Sequence, residues 1–321
     1  MIRVLVFVWL ASVGTLAQAG EALSPLAWLQ KISDATRQLD YNGTFVFQQG
    51  DHVETARILH RVEGGESLEK FETLDGRPRE IIRVGDQVFC YTADARSLKV
   101  ERRPGARLFP RVLPKDTAPL AEVYTVRFGE PLRVAGQDCV ALLLEPKDAL
   151  RFGHRLWAAA DSGLLLKSAM VDNRGHTLTQ VSFTQVSIGE APDRAAFRSE
   201  LLAKGGRLAE VRDGAENLPA VETWQLEPMP PGFRKTREMK RTLPGKSHPV
   251  FHVVLSDGLA TVSVFVEPAA TAQGGSGPSV QGLINLYSTR SGDYYVTALG
   301  EVPPATVKSM ALSLVLKAKG P

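Results

Sequence analysis

From Asp40 onward, apolar and polar positions alternate with a period of two. The run DYNGTFVFQQGDHVETARIL reads as a β-hairpin turning at Gly50-Asp51. Its Phe45 and Phe47 share one face, with Thr44, Val46 and Gln48 on the other. The runs TFVFQQ, VETARILHRV, SLEKFETL, REIIRVG and QVFCYT are separated by Gly50-Asp51, Gly64-Gly65, Asp75-Gly76 and Gly85-Asp86. Gly and Asp tolerate the positive φ that hairpin turns require, so these pairs mark a meander. A Pro- and Arg-rich stretch near 103–119 interrupts it and is expected to be a loop. Strand patterning resumes with TVRFGEPLRVA, DCVALLLEP, HRLWAAA, GLLLKSAMV and HTLTQVSFTQVSI. Ahead of the strands, SPLAWLQKISDATRQLD has Ser24 placed to cap a helix and Pro25 at its first position. Its Leu26, Leu29, Ile32 and Leu39 fall near one face. Some ten antiparallel strands and one leading helix predict a mainly β domain, either a sandwich or an unclosed barrel around the helix.

Several strands, TFVF, REIIRV, CVALLL and GLLLKSAMV, are apolar on both faces. A thick sandwich core accounts for that, and so does a concave sheet whose groove holds an acyl chain or a peptide; periodicity does not separate the two.

Patterning lapses over residues 204–220, which reads as a linker between a large domain (20–203) and a smaller α+β domain (221–321). The second unit shows hairpins turning at Asp257-Gly258 and Ser291-Gly292-Asp293. A Gly/Ser-rich loop spans Gly274 to Gly277, and a helix opens at Pro303-Pro304. About four strands and one helix are expected there.

The first nineteen residues change the compartment. Arg3, the apolar run Val4–Leu10 and Ala17-Gln18-Ala19 form a secretory signal with a small-x-small cleavage site, placing the mature chain in the bacterial periplasm. Without Arg3 the chain carries 37 basic and 35 acidic residues, a balance that argues against a general nucleic-acid binder. The excess lies after Val221, where ten Lys/Arg face seven Asp/Glu. An oxidising compartment favours pairing Cys90 with Cys139, although each lies in a strand that also suits a buried thiol. A bond between them would close a loop worth about 4 kcal/mol in the chain-entropy model.

A search for chemistry finds no catalytic or metal constellation. The six histidines are scattered, and there is no His-Glu-x-x-His, nucleophile elbow, phosphate loop or dinucleotide fingerprint, so no cofactor is expected. Two basic clusters stand out. Arg102, Arg103, Arg107 and Arg111 form one, and Arg234, Lys235, Arg237, Lys240 and Arg241 the other. They read either as solvated charge or as contacts for an anionic partner, an acidic peptide or the phosphates of a glycolipid.

The segments Tyr41-Asn42-Gly43-Thr44-Phe45-Val46-Phe47, Gly76-Arg77-Pro78-Arg79-Glu80-Ile81-Ile82-Arg83 and Arg127-Phe128-Gly129 resemble the MucB/RseB family of periplasmic regulators. So do Arg155-Leu156-Trp157, Gly163 to Lys167, Pro231-Gly232-Phe233, Ser256-Asp257-Gly258-Leu259 and Gly300-Glu301-Val302-Pro303-Pro304. The resemblance implies an N-terminal unclosed β-barrel similar to the lipoprotein carriers LolA and LolB, plus a smaller C-terminal domain. It implies binding to the periplasmic segment of a membrane anti-sigma factor of the MucA/RseA type. It further implies protection of that segment from proteolysis, release by lipopolysaccharide or mislocalised lipoprotein, and control of outputs such as alginate synthesis. On this reading Phe45, Phe47, Ile82, Phe89, Leu142, Leu144, Trp157 and Leu165 are expected to line an apolar groove. A lipid or lipoprotein carrier using the same groove is the alternative, and a homodimer is a further partner to test.

Overall fold

The computed structural model describes residues 23–85, 87–94, 97–102, 109–203, 208–209, 223–243, 246, 248–270, 272 and 275–317. The signal sequence, Arg103, Arg107 and most of the expected linker lie outside the described residues.

Helix α1 (Pro25–Gln38) starts where Ser24 Oγ accepts the amide of Ala27, and it buries Leu29 and Ile32. Six strands follow in a meander: β1 (Tyr41–Gln49), β2 (His52–Glu63), β3 (Glu66–Thr73), β4 (Arg79–Val84), β5 (Gln87–Asp94) and β6 (Ser97–Arg102). After a short helix α2 (Leu120–Val123) come β7 (Tyr124–Phe128), β8 (Leu132–Val134), β9 (Gln137–Pro146), β10 (Gly153–Ala159), β11 (Leu165–Val171) and β12 (Thr177–Ile188). Strand β12 returns to pair with β1, giving the order β6-β5-β4-β3-β2-β1-β12-β11-β10-β9-β7. The two ends of this order do not pair, so the sheet is an unclosed antiparallel barrel.

Cross-strand rows define its two faces. Ile58, Phe71, Ile81 and Cys90 are successive partners on the inner face, and Lys70, Ile82 and Phe89 on the outer. The inner face holds α1 and the segment from Phe109 to Leu120. Arg37 donates to the carbonyls of Ser33 and Leu113, and Ser33 Oγ to that of Pro114. Gly43 is needed on β1 because a Cβ there would stand 2.4 Å from the Gln185 carbonyl and 2.8 Å from the Phe183 ring. On the outer face a 3₁₀ turn (Arg194–Phe197) and α3 (Glu200–Ala203) cover β3 to β5. Lys70 Nζ donates to the Arg198 carbonyl, and Ser199 Oγ to Glu80. This second cover explains why REIIRV is apolar on both sides. Strand β13 (Leu208–Ala209), within the span read as linker, pairs in parallel with β6.

The C-terminal domain contains β14 (Thr223–Leu226), β15 (Arg234–Thr242), β16 (Pro249–Ser256), β17 (Thr261–Pro268), β18 (Gly277–Gln281), β19 (Ile284–Ser291), β20 (Tyr294–Gly300), α4 (Pro304–Leu312) and β21 (Leu314–Lys317). A six-stranded sheet, β15-β16-β17-β20-β19-β18, packs α4 on one face, with β14 and β21 as a separate pair. The four strands expected here were too few. Strand β15 is charged along most of its length and β18 begins inside the Gly/Ser-rich segment, so neither shows apolar alternation.

The expected disulfide is absent: Cys90 and Cys139 are free, buried thiols. Strand β5, carrying Cys90, and β9, carrying Cys139, stand far apart in the strand order. Each sulfur is instead packed in the inner core, Cys139 Sγ donating to the Gln137 carbonyl at 3.5 Å. Among the described residues no helix is long and apolar enough to cross a membrane, and none of their side chains cluster to hold a metal.

Candidate functional site

Strand register places the turns β1–β2, β3–β4, β9–β10 and β11–β12 at one end of the barrel, and the C-terminal domain caps that end. Arg151, in the β9–β10 turn, is the pin. Its Nη1 donates to Asp257 Oδ2 at 2.7 Å and its Nη2 to the Pro231 carbonyl at 2.7 Å. Asp148 takes Nε and Nη2 at 3.0 Å each. The side chains of Arg151 and Asp257 are both 0% exposed, and the guanidinium lies 5.0 Å from the Phe233 ring centroid. Thr306 Oγ1 donates to the Leu150 carbonyl at 2.7 Å. At Gly232, with φ +74°, a Cβ would fall 2.3 Å from Val123 Cγ1, so only glycine lets the domains approach this closely.

Between barrel and cap lies a cavity of about 510 Å³, within the range of about 300–1,000 Å³ usual for ligand pockets. Phe45, Phe47, Phe71 and Ile81 form one wall, and Leu144, Leu156, Ala169 and Met170 the other. Phe109, Val112 and Leu113 close it from the inner segment, and Leu259 and Glu301 from the C-terminal domain. Phe45, Phe109 and Phe183 meet in tilted and edge-to-face contacts at its floor, with centroids 5.1 to 6.0 Å apart. A second hollow of about 500 Å³ shares Leu144 and His154 with the first and reaches Arg151 and Pro303. Burial alone pushes His154, in the shared wall, down to about 4, so it is neutral at pH 7.

Toward the other end of the barrel the inner face holds charge. Glu69 forms ion pairs with Arg83 Nε and Arg111 Nη2 at 2.9 Å each, and His60 stacks on Tyr41 while its Nδ1 sits 2.6 Å from the Leu39 carbonyl. Burial holds His60 below its ordinary value, against the opposing pull of Glu69.

Comparison with known proteins follows the same two-part division. Residues 24–201 match the MucB/RseB N-terminal domain and residues 219–315 the MucB/RseB C-terminal domain. The chain belongs to the MucB/RseB family. It is 34% identical over 303 residues to the sigma factor AlgU regulatory protein MucB of Pseudomonas aeruginosa, covering 92% of each chain. It is 25% identical over 291 residues to the sigma-E factor regulatory protein RseB of Haemophilus influenzae, covering 90% of each. Among solved structures it matches one from the Pseudomonas aeruginosa MucA/MucB complex with a TM-score of 0.75 and 32% identity, covering 92% of this chain and 99% of that one. A crystal structure of MucB matches with a TM-score of 0.64 and 31% identity, covering 89% of this chain and 96% of that one.

Within this MucB/RseB chain, Phe45, Phe47 and Leu144 of the expected groove residues line the cavity. Ile82, Phe89 and Trp157 do not, because they occupy the outer face one residue out of phase with Ile81, Cys90 and Leu156; Lys167 Nζ lies over the Trp157 ring there. Leu142 and Leu165 belong to the packed core. Missed were Phe71, Phe109, Leu156, Met170 and Leu259, the first, third and fourth of which a consistent inward phase from Phe45 would have found. Of the basic residues, Arg111 points inward to Glu69, and only the backbone of Arg102 is described. Arg234, Lys235, Arg237, Lys240 and Arg241 lie on β15, an edge strand. Lys235 and Lys240 oppose Leu255 and Phe251, whereas Arg237 and Arg241 oppose Val254 and Val250, so the charges divide between two faces. Arg234 reaches Glu122 of the barrel at 3.5 Å, and Lys235 pairs with Glu238.

Proposed function

We propose that this chain is a periplasmic negative regulator of an envelope-stress sigma factor. It binds the periplasmic segment of a MucA/RseA-type membrane anti-sigma factor and withholds that segment from its protease. A lipopolysaccharide or mislocalised lipoprotein supplies acyl chains that enter the same apolar space and favour release. The reading rests on one observation above all: an apolar cavity whose walls come from both domains, so a guest inside touches both. A protein that binds an extended tail works by occupancy rather than turnover. A partner bound at 100 times its Kd is stabilised by about 2.7 kcal/mol against the cleavable free state. Release follows when the second ligand favours a form with low tail affinity. The test mixes the purified mature chain with the anti-sigma periplasmic segment and the site-1 protease, with and without lipopolysaccharide. Slower cleavage that lipopolysaccharide restores is the expected result, and an unchanged rate would reject the reading.

A further inference from the structure

The cavity's walls are apolar, but its polar edge carries a definite sign. The charged residues in its lining whose side chains face inward or belong to the cap are Glu54, Glu301 and a single arginine, Arg79. Glu72, one residue out of phase with Phe71, turns its carboxylate to Arg57 on the outer face. Glu54 keeps 38% of its side chain exposed, which places it at the mouth, with His52 Nε2 3.8 Å away. These carboxylates outnumber the guanidinium two to one. The whole chain has the opposite sign, a formal charge of +3, so this acidity is local.

The described residues of the first basic cluster lie elsewhere. Arg111 is turned to Glu69, and β6 pairs Arg102 with Phe89, on the side of the barrel away from the Thr73–Arg79 turn. The lining also includes Ser168, Thr179 and His154. A hydrocarbon chain would desolvate these groups with nothing in return, whereas a peptide backbone offers them hydrogen bonds.

We propose that the cavity takes an extended apolar peptide segment flanked by lysine or arginine, with its cationic flank at the Glu54 and Glu301 mouth. The inference rests on the binding reading above and names the chemistry of the guest. The test loads the mature chain with the neutral dye N-phenyl-1-naphthylamine. Three competitors follow: two peptides with one apolar core and either Lys or Glu flanks, and lysophosphatidate. The Lys-flanked peptide should displace the dye with about tenfold higher affinity than the Glu-flanked one. The gap should close in about 1 M salt, where the Debye length falls to about 3 Å. It should also collapse in the E54Q/E301Q variant, while a peptide with uncharged flanks binds that variant unchanged. Equal binding of the two peptides, tighter binding of lysophosphatidate, or a preference that survives the double substitution would each overturn the inference. A dye that never enters the chain would overturn the binding reading itself, an outcome separable from entry without charge preference.

Discussion

Arg151 concentrates the interdomain contact in one guanidinium, and its replacement should be disproportionate. Arg151→Met leaves Asp257 buried without its cation, a change that costs about 3–5 kcal/mol. Asp257→Asn should cost less, because Arg151 keeps both hydrogen bonds to Asp148. Urea unfolding of the two variants checks the order, and Arg151→Met should split the transition as the domains lose their coupling. Thiol chemistry offers a second measurement at this scale. Denatured protein should titrate two free thiols, and native protein should react slowly, since burial raises the Cys139 thiol.

At the level of elements, β15 decides whether its charge has a partner. Reversing Arg237, Lys240 and Arg241 to Glu should leave the fold intact, because an edge strand tolerates charge, and should weaken binding of an acidic peptide or phosphate-bearing lipid severalfold. Titration of wild type and variant with the same ligand measures it, and unchanged affinity would retire a role for this strand. The same strand shows what sequence could and could not reveal. The meander, its glycine turns and α1 were legible because alternation, positive-φ residues and a Ser-Pro start each have a local cause. Strand β15 was not, since RKTREMKRT satisfies only one neighbour and carries charge on both faces. The cavity was half legible. Phe45 and Phe47 revealed an apolar face, yet the phase of REIIRV and HRLWAAA depends on which side α1 and α3 cover, which is tertiary information. Leu259 and Glu301 come from the other domain, beyond any local pattern.

For the whole molecule, three histidines set the response to acid. Burial lowers His60, His154 and His252, the last two to about 4, from an ordinary value of 6.5; Arg241 and Arg237 add to the effect at His252. Each is neutral in the fold, so as pH falls below about 6.5 the unfolded chain binds protons that the native chain does not. Stability is therefore full above that value and declines as pH falls toward about 4. Urea midpoints between pH 7 and pH 4.5 should trace the decline. His252→Leu should flatten it, since that ring stacks on Phe265 with neither nitrogen hydrogen-bonded.

The cap on one end of the barrel also decides where the molecule can be handled. At the uncovered pole a Cβ added at Gly64 or Gly65 would meet nothing within 4 Å. An epitope or fluorescent reporter spliced in there would leave the two-domain contact undisturbed. The same insertion after Gln49 would wedge beneath Gly282 of the other lobe, whose Cβ position lies 3.2 Å from the Gln49 amide. One bend is a free handle, and the other abuts the second lobe, where no tag should go.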